Sequence, residues 1–378
     1  MKDIELLKAM VEIDTTNQKA NESELADFLA RYVKPYADKL EFIGGQRKNL
    51  IAYFGNLKSK NILCFNGHMD VAAAEEKGWE TKPFKLTVKN GFAFGRGTAD
   101  MKGGLAASVQ AVIKAKQAGL LNNKLIILAC SVDEETGADS EFGAKLVVEH
   151  LIKNNIKPQG CVIPEPATYQ QDVRINLGHR GLLWIKCKAY GKAMHSGLIN
   201  TENNAINNIM AFISDIQKEI TNQPKRINGV PQTSCRVLYI NGGKDEEVLN
   251  AIPDIAVAHL DVRTSPAEAN SKVLLKIQNI AGRHNIDISV FKNTPSASIS
   301  KNEKIVKVFE KAFENQNEKY TLGYASPTCD AHWFIETDIP AINGLGVSGE
   351  NVHTNNEFIE IASLAKRVEL FYNVIKEW

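Results

Sequence analysis

The sequence predicts an α/β domain on a mixed, largely parallel sheet, interrupted by a small α+β sandwich. Three observations carry this expectation. Several strand-length runs are apolar throughout, as strands covered on both faces are. Helical spacing alternates with those runs, which is the order of βα units. Near Arg174 the pattern changes to strands with one buried face, and helix signals of the first kind return only after about Lys292. The 378 residues are also more than one ordinary core organises, so two domains are expected.

Taken in order, Ile4, Leu7 and Val11 keep helical spacing beside Leu6, Met10 and Ile13. A second helix is expected over Glu22 to Lys34, stopped by Pro35. Leu50 to Phe54, Asn61 to Phe65, Leu125 to Val132 and Gly160 to Ile163 read as strands. Gly103 to Lys116 and Glu141 to Ile152 read as the helices between them. In the second unit Leu183, Ile185, Cys187 and Ala189 alternate, the mark of a strand with one buried face. A helix over Thr201 to Ile220, strands over Cys235 to Ile240 and Ile255 to Val262, a helix over Val273 to Ala281 and a strand over Ile286 to Phe291 follow. Helices at Lys304 to Glu314 and Ile361 to Glu377 return to the first pattern. The simplest topology is a discontinuous domain, 1–174 with 293–378, holding an inserted domain at 175–292.

Composition narrows the class. Lys plus Arg is 45 against 44 for Asp plus Glu, a net charge of +1 that offers no basic footprint for nucleic acid or an anionic membrane. No apolar run approaches the length of a membrane helix. The opening MKDIELLKAMVEIDTTN lacks the unbroken apolar stretch of a signal peptide, so a cytoplasmic protein is expected. No two of the six cysteines form a CxxC pair, and Cys64, Cys130, Cys161 and Cys187 sit in apolar runs as buried thiols would.

Residues able to do chemistry cluster just after predicted strands, where open α/β sheets place their sites. In NGHMDV, His68 and Asp70 project to one side of extended backbone. Such a pair can be a metal ligand with its orienting carboxylate, or a structural turn. In GRGTADMKGG, Asp100 sits among glycines before a helix, which fits an N-cap as well as a ligand; the spacing matches no P-loop. In SVDEETG, Asp133, Glu134 and Glu135 end an apolar strand. Three acids in a dry site repel one another unless a cation joins them; in a wet one they are a solvated loop. Two adjacent glutamates can also divide the labour, one binding metal and the other moving protons. Glu165 is held between Pro164 and Pro166 in VIPEPATY, and His353 lies in the polar run ENVHTNNE. Each cluster has an ordinary structural reading by itself. Together they supply two histidines, three carboxylates and a spare glutamate, a donor set for a two-metal hydrolytic centre with zinc, cobalt or manganese.

The run of GHMDV, GRGTADMKGG, DEETG, PEP, HRG with MHSG, and NVHTNNE resembles the acetylornithine deacetylase and succinyl-diaminopimelate desuccinylase (ArgE/DapE) family. The wider group of co-catalytic zinc hydrolases also holds aminoacylases, dipeptidases and glutamate carboxypeptidases. The likeness runs from near residue 60 to 357. It implies a zinc-peptidase-like catalytic domain and a ferredoxin-like inserted domain through which a homodimer forms. It implies that His68 and Glu165 hold one metal, that Glu135 and His353 hold the other, and that Asp100 bridges them. Asp70 would orient His68, and Glu134 would be the general base. A cis peptide is implied between Asp100 and Met101. His195, in KAMHSG, resembles the histidine that reaches the partner subunit's site as an oxyanion donor. Asn250 and Arg263, in NAIPDIAVAHLDVR, resemble readers of a substrate carboxylate, with Arg180 adding positive charge and Thr328, in SPTCDAHW, a hydrogen bond.

The implied reaction cleaves the amide bond of an N-acylated amino acid, of the N-acetylornithine or N-succinyl-LL-diaminopimelate type. A dipeptidase or carboxypeptidase is the alternative within the group, and a non-catalytic binding protein on the same fold the remote one. The chain departs from the bacterial desuccinylases where His179–Arg180 stands in place of consecutive arginines, and HSG in place of an HSS-type run. The first departure is closer to the deacetylase side.

Overall fold

The computed structural model describes residues 2–136, 140–198, 203–221, 226–227, 229–243 and 250–378. The elements run α1 (Lys2–Glu12), α2 (Glu22–Val33), β1 (Lys39–Ile43), β2 (Asn49–Gly55), β3 (Ile62–His68), β4 (Thr87–Lys89), β5 (Phe92–Phe94), α3 (Gly104–Gln117), β6 (Leu125–Ser131), α4 (Ala144–Lys153), β7 (Cys161–Ile163), β8 (Ala167–Thr168) and β9 (Val173–His179). Next come β10 (Gly181–Tyr190), β11 (Met194–His195), α5 (Ala205–Ile216), β12 (Arg226–Ile227), β13 (Val230–Pro231), β14 (Ser234–Gly242), β15 (Ala251–Ile252), β16 (Ile255–Thr264), α6 (Asn270–Arg283) and β17 (Ile286–Thr294). Last are β18 (Ala297–Ser298), α7 (Lys304–Asn315), β19 (Tyr320–Ala325), α8 (Ala331–Ile335), β20 (Ala341–Asn343), β21 (Ser348–Glu350), β22 (Phe358–Glu360) and α9 (Ile361–Glu377).

The chain divides into two compact units. The first comprises 1–178, 298–325 and 329–378; the second comprises 179–297 and 326–328.

In the first unit, strands of the main sheet run β1-β2-β6-β3-β7-β20-β9-β18, with β19 on β9. β3, β6, β7 and β20 are parallel neighbours, while β2 is antiparallel to both β1 and β6, and β9 to β20. The sheet is therefore mixed, with its parallel part at the centre. β2, β3 and β6 are buried almost from end to end, which is why they read as continuous apolar runs. Alternate residues go to opposite faces. Leu63, Phe65, Ile126 and Leu128 pack towards α1, α2, α3, α7 and α9, whereas Cys64, Ile127, Cys161 and Ile163 pack towards α4 and α8. A smaller sheet, β4-β5-β22-β21-β8, is held by Phe92, Phe94, Tyr169 and Phe358, whose rings meet at 5.3–5.6 Å.

The second unit is an antiparallel sheet, β14-β16-β10-β17, with α5 and α6 on one face. Inward positions of β10 alternate with outward ones, as the sequence predicts, and those of β16 do the same. The helix expected over 201–220 begins at Ala205, where the Asn204 side chain accepts from Ile206 N at 2.9 Å. Its expected start, at Thr201 and Glu202, lies outside the described residues. All six cysteines are unpaired. Among the described residues, no helix is long and apolar enough to cross a membrane.

Candidate metal centre

Three parallel strands deliver residues to one end of the sheet. His68 closes β3; Glu134 and Glu135 follow β6; Glu165 follows β7. Because neighbouring parallel strands finish on the same side, residues far apart in sequence meet there. Asp100 comes from the turn ahead of α3, and His353 from the loop between β21 and β22. The turn and the Pro164–Glu165 segment approach closely: neither Gly104, beside Pro164 O, nor Gly346, beside Pro164 O and Glu165 O, has room for a Cβ. The peptide joining Asp100 to Met101 is cis.

Asp100 occupies the centre. Its Oδ1 lies 3.1 Å from His68 Nε2, and its Oδ2 lies 3.2 Å from His353 Nε2. His353 Nε2 is also 2.8 Å from Glu135 Oε2, while His68 Nε2 is 3.9 Å from Glu165 Oε1 and 4.0 Å from Glu134 Oε2. Ligand atoms of His68, Asp100 and Glu135 all fall within 4.8 Å of one another. The closer partner of His68 Nδ1 is the backbone oxygen of Asp70, at 2.9 Å, with the carboxylate at 3.6 Å. The Asp70 carboxylate instead accepts from Glu134 N at 3.2 Å, Glu135 N at 3.0 Å and Asn17 Nδ2 at 2.7 Å. It anchors the backbone that carries both glutamates.

The electrostatics show a site short of positive charge. Burial pushes the Glu134 and Glu165 carboxyls well above the carboxylate range; His68 opposes this, and neighbouring acids add to it. Burial acts against a charged His68, but its hydrogen bond to Asp100 and the glutamates around it hold the imidazole well above the usual range. Hydrogen bonds to Asp100 and Glu135 lift His353 to about 10. Asp100 stays ionised despite burial, because both histidines hydrogen-bond it. Protons thus gather on the atoms that would otherwise donate lone pairs. Divalent cations meet the same demand, and a nitrogen and oxygen donor set suits zinc, cobalt or manganese.

Other residues of this centre escaped the sequence reading. Asp330 is buried, accepts from Asn66 Nδ2 and Ser131 Oγ at 3.3 Å each, and is pushed up to about 6 by burial. Asn17 Nδ2 lies between Asp70 and Asp133, 2.7 Å and 2.9 Å from their carboxylates. An Asn after two threonines carries no sequence signal for either role.

Arg180, His195, Asn250, Arg263 and Thr328 belong to the second unit. Arg180 Nη2 donates to Gln232 O (2.9 Å), Ser234 Oγ (2.5 Å) and Arg263 O (2.6 Å), which fixes the guanidinium. Arg263 is paired along its own strand with Asp261, at 2.8 Å and 3.2 Å. His195 is exposed, and its Nδ1 accepts from Gly197 N at 3.0 Å, so a neutral ring carries its proton on Nε2. Asn250 is exposed, with its backbone oxygen accepting from Ser196 N at 2.9 Å, and Thr328 is half-buried.

Comparisons with known proteins give the chain's family and fold. A family model described as peptidase family M20/M25/M40 matches residues 64–377. A Staphylococcus epidermidis protein named probable succinyl-diaminopimelate desuccinylase is 27% identical, over 99% of this chain and 97% of its own. Among solved structures, an M20 family metallo-carboxypeptidase from Sulfolobus solfataricus superposes with a TM-score of 0.80 at 18% identity, over 100% of this chain and 99% of its own. The YXEP protein of Bacillus subtilis, described as a dinuclear metal-binding peptidase of the M20 family, gives 0.73 at 15% identity, over 99% and 96%.

Proposed function

The chain belongs to peptidase family M20/M25/M40 and is a metal-dependent hydrolase, and from that premise we propose a two-metal enzyme that removes the acyl group from an N-acylated amino acid. One observation carries the two-metal part: the two oxygens of Asp100 face two different histidines, each accompanied by its own glutamate. In this reading His68 and Glu165 hold one cation, Glu135 and His353 hold the other, and Asp100 bridges them. Zinc is the first choice of ion, with cobalt and manganese also suited. When bound, the cations acidify a coordinated water and polarise the substrate carbonyl.

The protein's own groups do the rest. Glu134 is left as the proton carrier: it takes a proton on its carboxylate and hands it to the leaving nitrogen. Asp70 holds the Glu134–Glu135 backbone in place, and its main-chain oxygen sets the ring of His68. Arg180, Arg263, Asn250 and Thr328 read the substrate, with the arginines suited to carboxylate. Arg263 exchanges Asp261 for the substrate in doing so.

We place His195 as the oxyanion donor to a partner subunit, through Nε2–H. That role requires a homodimer, and the inserted unit has a surface to form one. β14 is an edge strand, and Val237, Leu238, Tyr239 and Ile240 are all exposed on it, as is Met210 on α5. An active monomer in sedimentation would contradict the assignment. A cytoplasmic location accords with this reading.

The named relative matches over nearly its whole length, so N-succinyl-LL-diaminopimelate is the first substrate to try, followed by N-acetylornithine. The experiment is product release by the zinc- or cobalt-loaded protein from these two and from a set of dipeptides. Turnover of either acylated amino acid is the expected result. Turnover of dipeptides alone would replace this reading with that of an exopeptidase.

A further inference from the structure

Two of the residues facing the centre have unequal support. His68 is 1% exposed and sits on a central strand. His353 is 55% exposed, so side-chain packing does little to hold it. Its loop is also conformationally expensive: Asn351, His353 and Asn356 all have φ near +60°. Some other contact must hold that loop against the Asp100 turn.

A buried ion pair makes that contact. Glu357, four residues after His353, is fully buried, and Arg96, four before Asp100, is 3% exposed. Glu357 Oε2 accepts from Arg96 Nη1 at 2.7 Å and Gly97 N at 3.0 Å. Its Oε1 accepts from Ala99 N at 2.8 Å and Asp100 N at 3.1 Å, and its backbone oxygen accepts from Gly95 N at 3.0 Å. One carboxylate therefore gathers the turn that ends in Asp100. The other side of the pair reaches back: Arg96 Nη2 donates to Thr354 O at 3.1 Å and Ala73 O at 3.3 Å. Thr354 is the residue after His353. Arg96 is itself fixed, with its guanidinium 5.4 Å from the Trp79 ring and its N–H on Pro83 O at 2.8 Å.

Charge and shape both matter here. Only an ionised carboxylate offers acceptors alone to that ring of donors; an amide would turn N–H against N–H. Only a planar fork serves Glu357 and two carbonyls together; a lysine is a single point. Buried pairs of this kind are poor stabilisers but can fix register.

We propose that Arg96 and Glu357 are positioning residues that lock the His353 loop to the Asp100 turn, and so set the affinity of the cation shared by Asp100, Glu135 and His353. The inference rests on the two-cation reading above. His68 and Glu165 are supported by β3 and by the Pro164–Pro166 segment, so the other cation meets the pair only through Asp100 and depends on it less.

The test is a Co²⁺ titration of the metal-stripped protein, followed by visible absorption and by calorimetry. Wild type, Glu357→Gln, Arg96→Lys and, as a marker of the weakened position, His353→Ala are compared. Wild type should take two equivalents. Both pair variants should bind the second equivalent about 10–100-fold more weakly and the first with a much smaller loss. Their kcat should recover with excess Co²⁺, whereas that of His353→Ala should not. Unchanged binding of both equivalents in Arg96→Lys, the milder change, overturns the proposal. So does equal weakening of both, which is what a general loss of structure gives. Should Glu357→Gln not fold, Arg96→Lys decides alone. A wild type that binds fewer than two equivalents removes the two-cation reading itself, and this inference with it.

Discussion

Asp133, Glu134 and Glu135 are adjacent in sequence and face three different partners. Asp133 has φ of +62°, and its carboxylate is taken up by Arg47 Nη1 at 2.7 Å, Asn17 Nδ2 at 2.9 Å and Ser140 Oγ at 2.6 Å. Glu135 turns to His353, and Glu134 keeps a carboxylate free beside His68. Glu134→Gln keeps the shape and removes the proton carrier. Metal content should stay at the wild-type level while kcat falls at least about 100-fold, measured on the best substrate of the panel. Asn17 shares one amide between two buried carboxylates, so Asn17→Ala should cost about 1–3 kcal/mol in denaturant unfolding. The sequence suggested separate roles for Glu134 and Glu135, but not that Asp133 is taken up by Arg47, Asn17 and Ser140. Asn17 and Arg47 lie about 90 to 120 residues from Asp133, and nothing local to them indicates a shared site.

At the level of elements, the central strands were legible and the flanking ones were not. β2, β3 and β6 bury nearly every side chain, so their composition announces them. β1 is largely half-exposed, and β20, β21 and β22 have three residues each, too few for a period to show; β7, equally short, shows only as the apolar run that ends at Ile163. β9 continues the first sheet to His179, although the sequence pattern already shifts near Arg174. At that corner His179 is fully buried, and burial holds its imidazole down at about 4. An unfolded histidine titrates near 6.5, so between about 6.5 and 4 the unfolded chain takes a proton that the folded one refuses. Stability is therefore lost as pH falls through that window, by up to about 3 kcal/mol from this residue. Urea midpoints at pH 7 and pH 4.5 should differ less in His179→Asn than in wild type. An equal difference would show that the ring is free to charge in the folded state.

For the whole molecule, a net charge of +1 hides a strong local imbalance. Balanced totals say nothing about where charges meet, and here Asp100, Glu134, Glu135 and Glu165 converge on two imidazoles. Metal should consequently stabilise one part of the protein. The two units have separate hydrophobic cores, and the centre belongs to the first. Calorimetry of the metal-stripped protein should resolve two transitions, with Zn²⁺ or Co²⁺ raising only one of them. At a free-ion concentration of about 100 Kd the gain is about 2.7 kcal/mol for each site filled. A shift of both transitions by the same amount would show that the units unfold as one.

The interruption of the main sheet also bears on how the protein is made. β20 pairs with β7 in parallel, yet about 180 residues separate Ile163 from Ala341. At roughly 5–20 residues per second, a ribosome leaves the β7 edge bare for roughly ten to forty seconds. That edge is Cys161, Val162 and Ile163, apolar and without a charge to discourage a stranger. The strand arrangement that brings Glu165 beside the other carboxylates thus asks the cell for either fast elongation or a chaperone's cover while the inserted unit is being synthesised.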